Sequence, residues 1–179
     1  DVPRGAAVVL DPRDGGILAM VSRPVYDPNE FSHGLSRARW KELSEGGANP
    51  LLDRAIQGVY PPGCTFKIVT MSAALSRGVA RAGTRFAPCA GGLYYGGRRF
   101  GCWDHKGHGS LDLIEALQHS CDVYFYQLGL KLGLARLEET AKALGLGART
   151  GVDLPQEARG LIPSAAYYDK RWGARGWRS

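Results

Sequence analysis

The 179-residue sequence predicts an α+β chain, in which two early strands precede a mostly helical body. Three observations carry this reading. Residues 6–22 hold two aliphatic, β-branched runs around the turn-forming stretch "DPRDGG". From Thr65 onward, apolar residues recur at helical spacing in four separate stretches. The composition, 44% hydrophobic and 22% charged, is that of a chain that folds.

Taken in order, Ala6–Leu10 is the first strand and Ile17–Ser22 the returning one. A lone hairpin is marginal in water, so further strands or a docking surface are expected to cover it. Residues 24–63 are irregular, with a short helix near Ser36–Glu45, and loops of that length usually carry function or pack on a partner. Thr65–Ser76 is apolar on nearly all sides and reads as a central buried helix. Residues 79–103 are glycine-rich and hold a small hairpin around "GGLYYGGRRFGCW". Leu111–His119 is a helix behind Ser110 as N-cap. Val123–Leu132 and Leu134–Leu144 follow, the latter ended by "GLG". Residues 149–179 read as loop.

No apolar run reaches about 18 residues, and no signal peptide is evident. An anchor is therefore expected outside these residues, and the chain reads as a piece of something longer. The net charge is +6, but the arginines are scattered and no basic run interleaves with aromatics. This reads as a solvated surface, with no nucleic acid as partner.

The chemistry starts at "YPPGCTFKIVT", residues 60–70. Residues three apart share a helix face, so Lys67 lies beside Cys64. Burial pushes a lysine toward its neutral amine, which can take a proton from a thiol or hydroxyl. A helix N-terminus favours the anion that results. The plain alternative is a small buried residue beside a lysine whose ammonium reaches solvent. In "HSCDVYFYQLG", Ser120 and Asp122 flank Cys121 on an interhelical turn. The hydroxyl can relay a proton and the carboxylate can orient Lys67, or either can simply cap the following helix.

A second set is Cys89, Cys102, His108 and Cys121, which can form a tetrahedral Cys3His zinc site. Such a site would tie the glycine-rich loop to the turn carrying Ser120 and Asp122. His105 competes with His108 as the imidazole. A Cys89–Cys102 disulfide and three buried thiols remain as alternatives. His33 and His119 read as surface histidines.

Together, "PPGCTFK" and "SCDVYFYQLG" resemble the transpeptidase domain of class B penicillin-binding proteins, whose motifs are Ser-x-x-Lys, then Ser-x-Asn or Ser-x-Asp, then Lys-Thr-Gly or Lys-Ser-Gly. "GAAVVLDPRDGGILAMVSRPVYDPNEF", "LLDRAIQGVYPPGCTFK" and "GLGARTGVDLPQEARGLIP" are similar to other stretches of that domain, so the resemblance covers nearly the whole chain. The Ser-x-Asp form and "KRWGARGW" are most like the elongation-type branch, penicillin-binding protein 2. The resemblance implies the penicillin-binding/serine-transpeptidase fold in part. Residues 1–25 would be its first strands, 26–63 an approach loop, 64–150 a helical subdomain with the active-site helix, and 151–179 a connecting segment.

It also implies D,D-transpeptidase activity on peptidoglycan stem peptides during cell-wall elongation, with β-lactams as inhibitors. The implied catalytic residues are Cys64, Lys67, Ser120 and Asp122. The implied partner is a SEDS-type glycosyltransferase, and the implied location the periplasmic face of the bacterial inner membrane. Some elongation-type members carry a metal near Cys89, Cys102, His108 and Cys121, with Asp at the first two positions in some relatives. Two departures stand out. Position 64 holds Cys where the family has Ser, an engineered or natural replacement. No Lys-Thr-Gly or Lys-Ser-Gly occurs in the 179 residues, because that motif lies on a later strand. Little activity is therefore expected of this polypeptide alone. The rival readings are a β-lactam sensor or β-lactamase of the same fold, and a zinc-stabilised binding module with no chemistry.

Overall fold

The loop at residues 11–16 closes on itself in the computed structural model, which describes residues 4–173. Asp11 and Gly15–Gly16 exchange two backbone hydrogen bonds of 2.8 Å. The Asp11 and Asp14 carboxylates accept from the N–H groups of Arg13 and Gly16. This turn joins strand β1 (Gly5–Leu10) to strand β2 (Ile17–Arg23) in antiparallel register, Ala6 opposite Ser22 and Val8 opposite Met20. Val8, Val9, Leu18 and Val21 remain exposed. Among the described residues β1 and β2 pair only with each other.

The chain divides into two units, one of residues 1–60 and 149–159, the other of residues 61–148 and 160–179. In the first, a one-turn helix α1 (Asn29–Ser32) and helix α2 (Arg37–Glu45) follow the hairpin. Ser36 caps α2 by accepting from the Arg39 N–H. The irregular stretch after α2 is ordered around Arg54. Its buried guanidinium donates to the carbonyls of Ala48, Asn49 and Leu52, a set of acceptors that compensates for burying the charge.

The second unit carries the helices. A 3₁₀ turn (Gly63–Thr65) runs straight into α3 (Phe66–Ser76). Gly63 sits at φ +58°, a left-handed conformation that glycine adopts without steric cost. A short hairpin of β3 (Gly92–Tyr95) and β4 (Arg98–Gly101) precedes α4 (Leu113–Gln118), α5 (Asp122–Leu132), α6 (Leu134–Ala143) and α7 (Ala165–Trp172). Helices α3, α5 and α6 pack on one another. Ala73 and Ala74 on α3 and Ala141 on α6 are fully buried, so the helix backbones approach closely. Leu113, Val123 and Leu128 fill the centre. The Gln127 side chain grips both backbone groups of Ala87, and the Tyr124 hydroxyl donates to the Thr84 carbonyl.

Three expectations are corrected here. The N-cap of α4 is Asp112 and not Ser110. Asp112 accepts from the Glu115 N–H while the Glu115 carboxylate accepts from the Asp112 N–H, a reciprocal capping box that Ser110 is two residues too early to make. Residues 165–172 are helical and not loop, because Ser164 caps the Tyr167 N–H. Helix α3 is not apolar-buried all round: Ile68 and Leu75 are about half exposed, and the buried face is Lys67, Val69, Thr70, Ala73 and Ala74. The end of the "KRWGARGW" stretch lies outside the described residues.

Leu128 is fully buried at the meeting of α5 with its neighbours. Leu128→Ala is expected to lower stability by about 2–5 kcal/mol, and Asp112→Ala by about 1 kcal/mol, both read from urea unfolding.

Candidate functional site

Lys67 organises the site. It is the second residue of α3 and is only 8% exposed. Its Nζ donates to the Asp122 carboxylate at 2.6 Å, to the Ser120 carbonyl at 2.7 Å and to the Ser120 hydroxyl at 3.0 Å. The Cys64 sulfur stands 3.5 Å away. Four polar atoms from two elements thus surround the one nitrogen. The Phe125 ring lies 5.7 Å beneath the ammonium. Sequence reasoning missed Phe125, though it stands three residues after Asp122 and so shares that helix face.

Two short breaks in the helices make this convergence possible. Cys64 lies on the 3₁₀ turn ahead of α3, exposed, with Lys67 one turn behind it. Ser120 occupies the link between α4 and α5 at φ +50°, a conformation uncommon for a residue with a Cβ. That bend presents both the carbonyl and the hydroxyl of Ser120 to Lys67. Asp122 opens α5, where the helix N-terminus supports its charge. Its second oxygen accepts from the backbone N–H of Trp103, while the Trp103 indole donates to the His119 carbonyl. No side-chain pattern announces a backbone donor, so Trp103 was not legible beforehand.

The Cys64 thiol is held below its ordinary value. A hydrogen bond from Ser120 contributes most, and the positive charge of Lys67 adds to it. Its acidity and exposure make the thiolate available at the surface of the helix mouth.

Behind the Ser120–Asp122 turn sits a second cluster. One ligand-type atom from each of Cys89, Cys102, His108 and Cys121 lies within 4.8 Å of every other. The cysteines are buried and all are free thiols, so no Cys89–Cys102 disulfide is present. His108 Nδ1 is 3.7 Å from the Cys89 sulfur and 3.6 Å from the Cys102 sulfur. Tetrahedral zinc with ordinary Zn–S and Zn–N bonds separates S and N by about 3.6 Å. His108 Nε2 is buried without a hydrogen-bond partner among the described residues, so the imidazole finds its partners only on the sulfur side. His105 is not in the cluster, and His33 and His119 are exposed. Burial pushes the Cys89 thiol up, but hydrogen bonds from the His108 backbone and ring outweigh it and bring it to about 7. Burial carries the Cys121 thiol up to about 12. A dense group of thiols with no cation among them is costly to ionise, and three thiolates and an imidazole are a set that binds zinc. Cys121 also lies between Ser120 and Asp122, so the two clusters share one turn.

A family model described as the penicillin binding protein transpeptidase domain matches residues 5–176. The peptidoglycan D,D-transpeptidase MrdA of Escherichia coli (strain K12) is 42% identical over 170 residues, covering 94% of this chain and 27% of that protein. A solved structure of a peptidoglycan synthase complex, described as coordinating polymerization and crosslinking, aligns with a TM-score of 0.82 and 37% identity. That match covers 94% of this chain and 29% of the other. Penicillin-binding protein A from M. tuberculosis, solved as its penicillin G acyl-enzyme, aligns with a TM-score of 0.79 and 33% identity over 98% of this chain and 42% of the other. The chain spans about a quarter of the length of the curated relatives it matches.

The geometry makes Cys64 the reactive thiol of the four. Iodoacetamide is expected to alkylate it at least about tenfold faster than Cys89, Cys102 or Cys121, with a pH midpoint below 9. Ser120→Ala and Lys67→Met should each move that midpoint upward. Equal labelling of all four thiols, or a midpoint at or above 9, contradicts the arrangement.

Proposed function

The chain belongs to the penicillin-binding-protein transpeptidase family, and from that premise we propose that it carries the nucleophile of a peptidoglycan D,D-transpeptidase acting in cell-wall elongation. The observation that carries the proposal is Lys67 Nζ. It lies within reach of a nucleophile on one element and of a hydroxyl and a carboxylate on another.

In this mechanism the Cys64 sulfur attacks the carbonyl between the last two D-alanines of a stem peptide. A C–S bond forms as the thiol proton passes to Lys67, which takes part in this step as the neutral amine. The backbone N–H of Cys64 donates to the oxyanion. As the amide C–N bond breaks, Ser120 delivers a proton to the departing D-alanine nitrogen and is resupplied by Lys67. Asp122 holds Lys67 and Ser120 in register throughout. An amine from a neighbouring strand then attacks the thioester, the C–S bond breaks, and Cys64 recovers its proton. A β-lactam enters the same first step and stays at the acyl stage, the state in which the M. tuberculosis relative was solved with penicillin G. A sulfur standing 3.5 Å from its base replaces the serine oxygen for which the family site is arranged, so turnover by this chain is expected to be low.

Cys89, Cys102, His108 and Cys121 would hold a structural zinc, which supplies cohesion and not chemistry. When bound it fixes the glycine-rich stretch behind the Ser120–Asp122 turn. The location that fits the function is the periplasmic face of the inner membrane. None of the described helices is long and apolar enough to cross a membrane. The fitting partner is a SEDS-type glycosyltransferase, and likeness to a synthase complex that couples polymerization to crosslinking supports it.

The test is the site at which a labelled penicillin is captured, mapped by peptide mass spectrometry. It is run on this chain and on residues 5–176 grafted into the matching stretch of the E. coli relative. An adduct at residue 64 is expected in the Cys64→Ser graft, slower with Cys64, and absent with Lys67→Ala. A folded graft with no adduct at residue 64 defeats the proposal. For the metal, a zinc-loaded chain should expose one titratable thiol, Cys64, and a chelator should raise that to four while lowering the melting temperature. Four accessible thiols before chelation argue against zinc.

A further inference from the structure

We infer that the β3–β4 hairpin, continued by Tyr126 of α5, is a docking shelf for the anionic glycan–peptide strand that bears the stem peptide, an inference that rests on the function proposed above.

The hairpin exposes more aromatic surface than its own folding requires. Tyr95 is 55% exposed and Trp103, just past β4, 61%. Exposed aromatic area of this kind usually marks an interaction site. The pairing places the residues. Tyr95 faces Arg98, and Leu93 faces Phe100, so these four share one side of the hairpin. Leu93 turns in to the core cluster, and Phe100 meets the Tyr126 ring edge-on at 5.9 Å. Tyr126 stands one helical turn beyond Asp122 and therefore on the same face of α5. Burial raises the Tyr126 phenol, and the charges of Asp122, Lys67 and Cys64 all reach it. Tyr126 and Phe100 thus link the helix that carries the lysine's carboxylate to the hairpin.

The charge of this region selects the occupant. Residues 77–103 contain five arginines and no Asp, Glu or Lys. Arg77 and Arg85 are neutralised by Glu139 and by Asp112 with Glu115. Arg98 has no carboxylate partner among the described residues, and its guanidinium lies 5.4 Å over the Phe100 ring. That stack fixes the cation in place and leaves its N–H edges for an incoming anion. A peptidoglycan strand offers both complements: flat sugar faces for Tyr95 and Phe100, and stem-peptide carboxylates for Arg98.

The shelf is also rigid. The Tyr126 hydroxyl donates to the Gly101 carbonyl, Arg99 donates to the Gly91 carbonyl, and the Trp103 N–H ties the end of β4 to Asp122. A ligand meeting a fixed surface loses less free energy to ordering it.

The experiment measures binding of soluble, uncrosslinked glycan strands with pentapeptide stems to the full 179-residue chain by calorimetry. Arg98→Glu is expected to weaken binding by at least about tenfold, Tyr95→Ala by about three- to tenfold, and Arg98→Lys by less than about threefold, with affinity falling as salt rises. Both positions lie at an exposed hairpin tip, and an unchanged Cys64 alkylation profile shows that each variant is folded. Parent-like binding by Arg98→Glu and Tyr95→Ala overturns the proposal. So does binding to phosphatidylglycerol vesicles with none to the strands, which makes the shelf a lipid surface. Penicillin capture separates the two readings. An adduct at residue 64 without strand binding defeats the shelf alone. Strand binding without an adduct leaves the shelf as a glycopeptide surface and defeats the transpeptidase.

Discussion

Everything in the second unit is arranged so that one ammonium group is buried at low cost. Lysine is seldom buried, since stripping water from its charge costs several kcal/mol unless partners replace the water. Lys67 obtains those partners from residues more than fifty positions away, on the link between α4 and α5. That need fixes where α5 begins, forces the bend at Ser120, and sets how α5 lies against α3. The packing of Ala73 and Ala74 on one side and Phe125 on the other brings the helices close enough for the contacts to form.

Much of this was legible in the sequence, because the governing signals are local. Turn chemistry marked both hairpins, and glycine breaks marked the end of α6. The spacing of Cys64 and Lys67 put the two side by side at the mouth of α3, and the residues of both clusters follow from type and position. The misses have physical causes. A run of apolar residues does not say which of them faces the core, so Ile68 and Leu75 read as buried when they are not. Ser110 and Asp112 are both good caps, and only the reach of Glu115 decides between them. Helix α7 is short, and its ordinary Ser164 cap lies in a stretch whose prolines and glycines read as loop. The choice of His108 over its rival His105 holds, since only His108 lies with the sulfurs.

The sulfur at position 64 changes the demands on the lysine. A hydroxyl needs a strong base close by, while a thiol ionises far more readily and needs little help to become a nucleophile. The Ser120 contact and the nearby positive charge already favour the thiolate. In the proposed reaction the difficulty then moves to the far end, where the larger sulfur would alter the position of the acyl carbon relative to Ser120.

Ser120 stands at φ +50°, where glycine would sit with less strain. The misfit costs about 1–2 kcal/mol. A glycine there would relax the bend and remove the hydroxyl that both Lys67 and Cys64 use. The residue beside it is a buried thiol of the metal-type cluster, and the next is the lysine's carboxylate. Three consecutive positions therefore answer to separate demands, and each closes off the substitution that would ease its neighbour. A change at any of the three is therefore felt in both clusters, because the lysine's partners and a buried thiol hang from one bend.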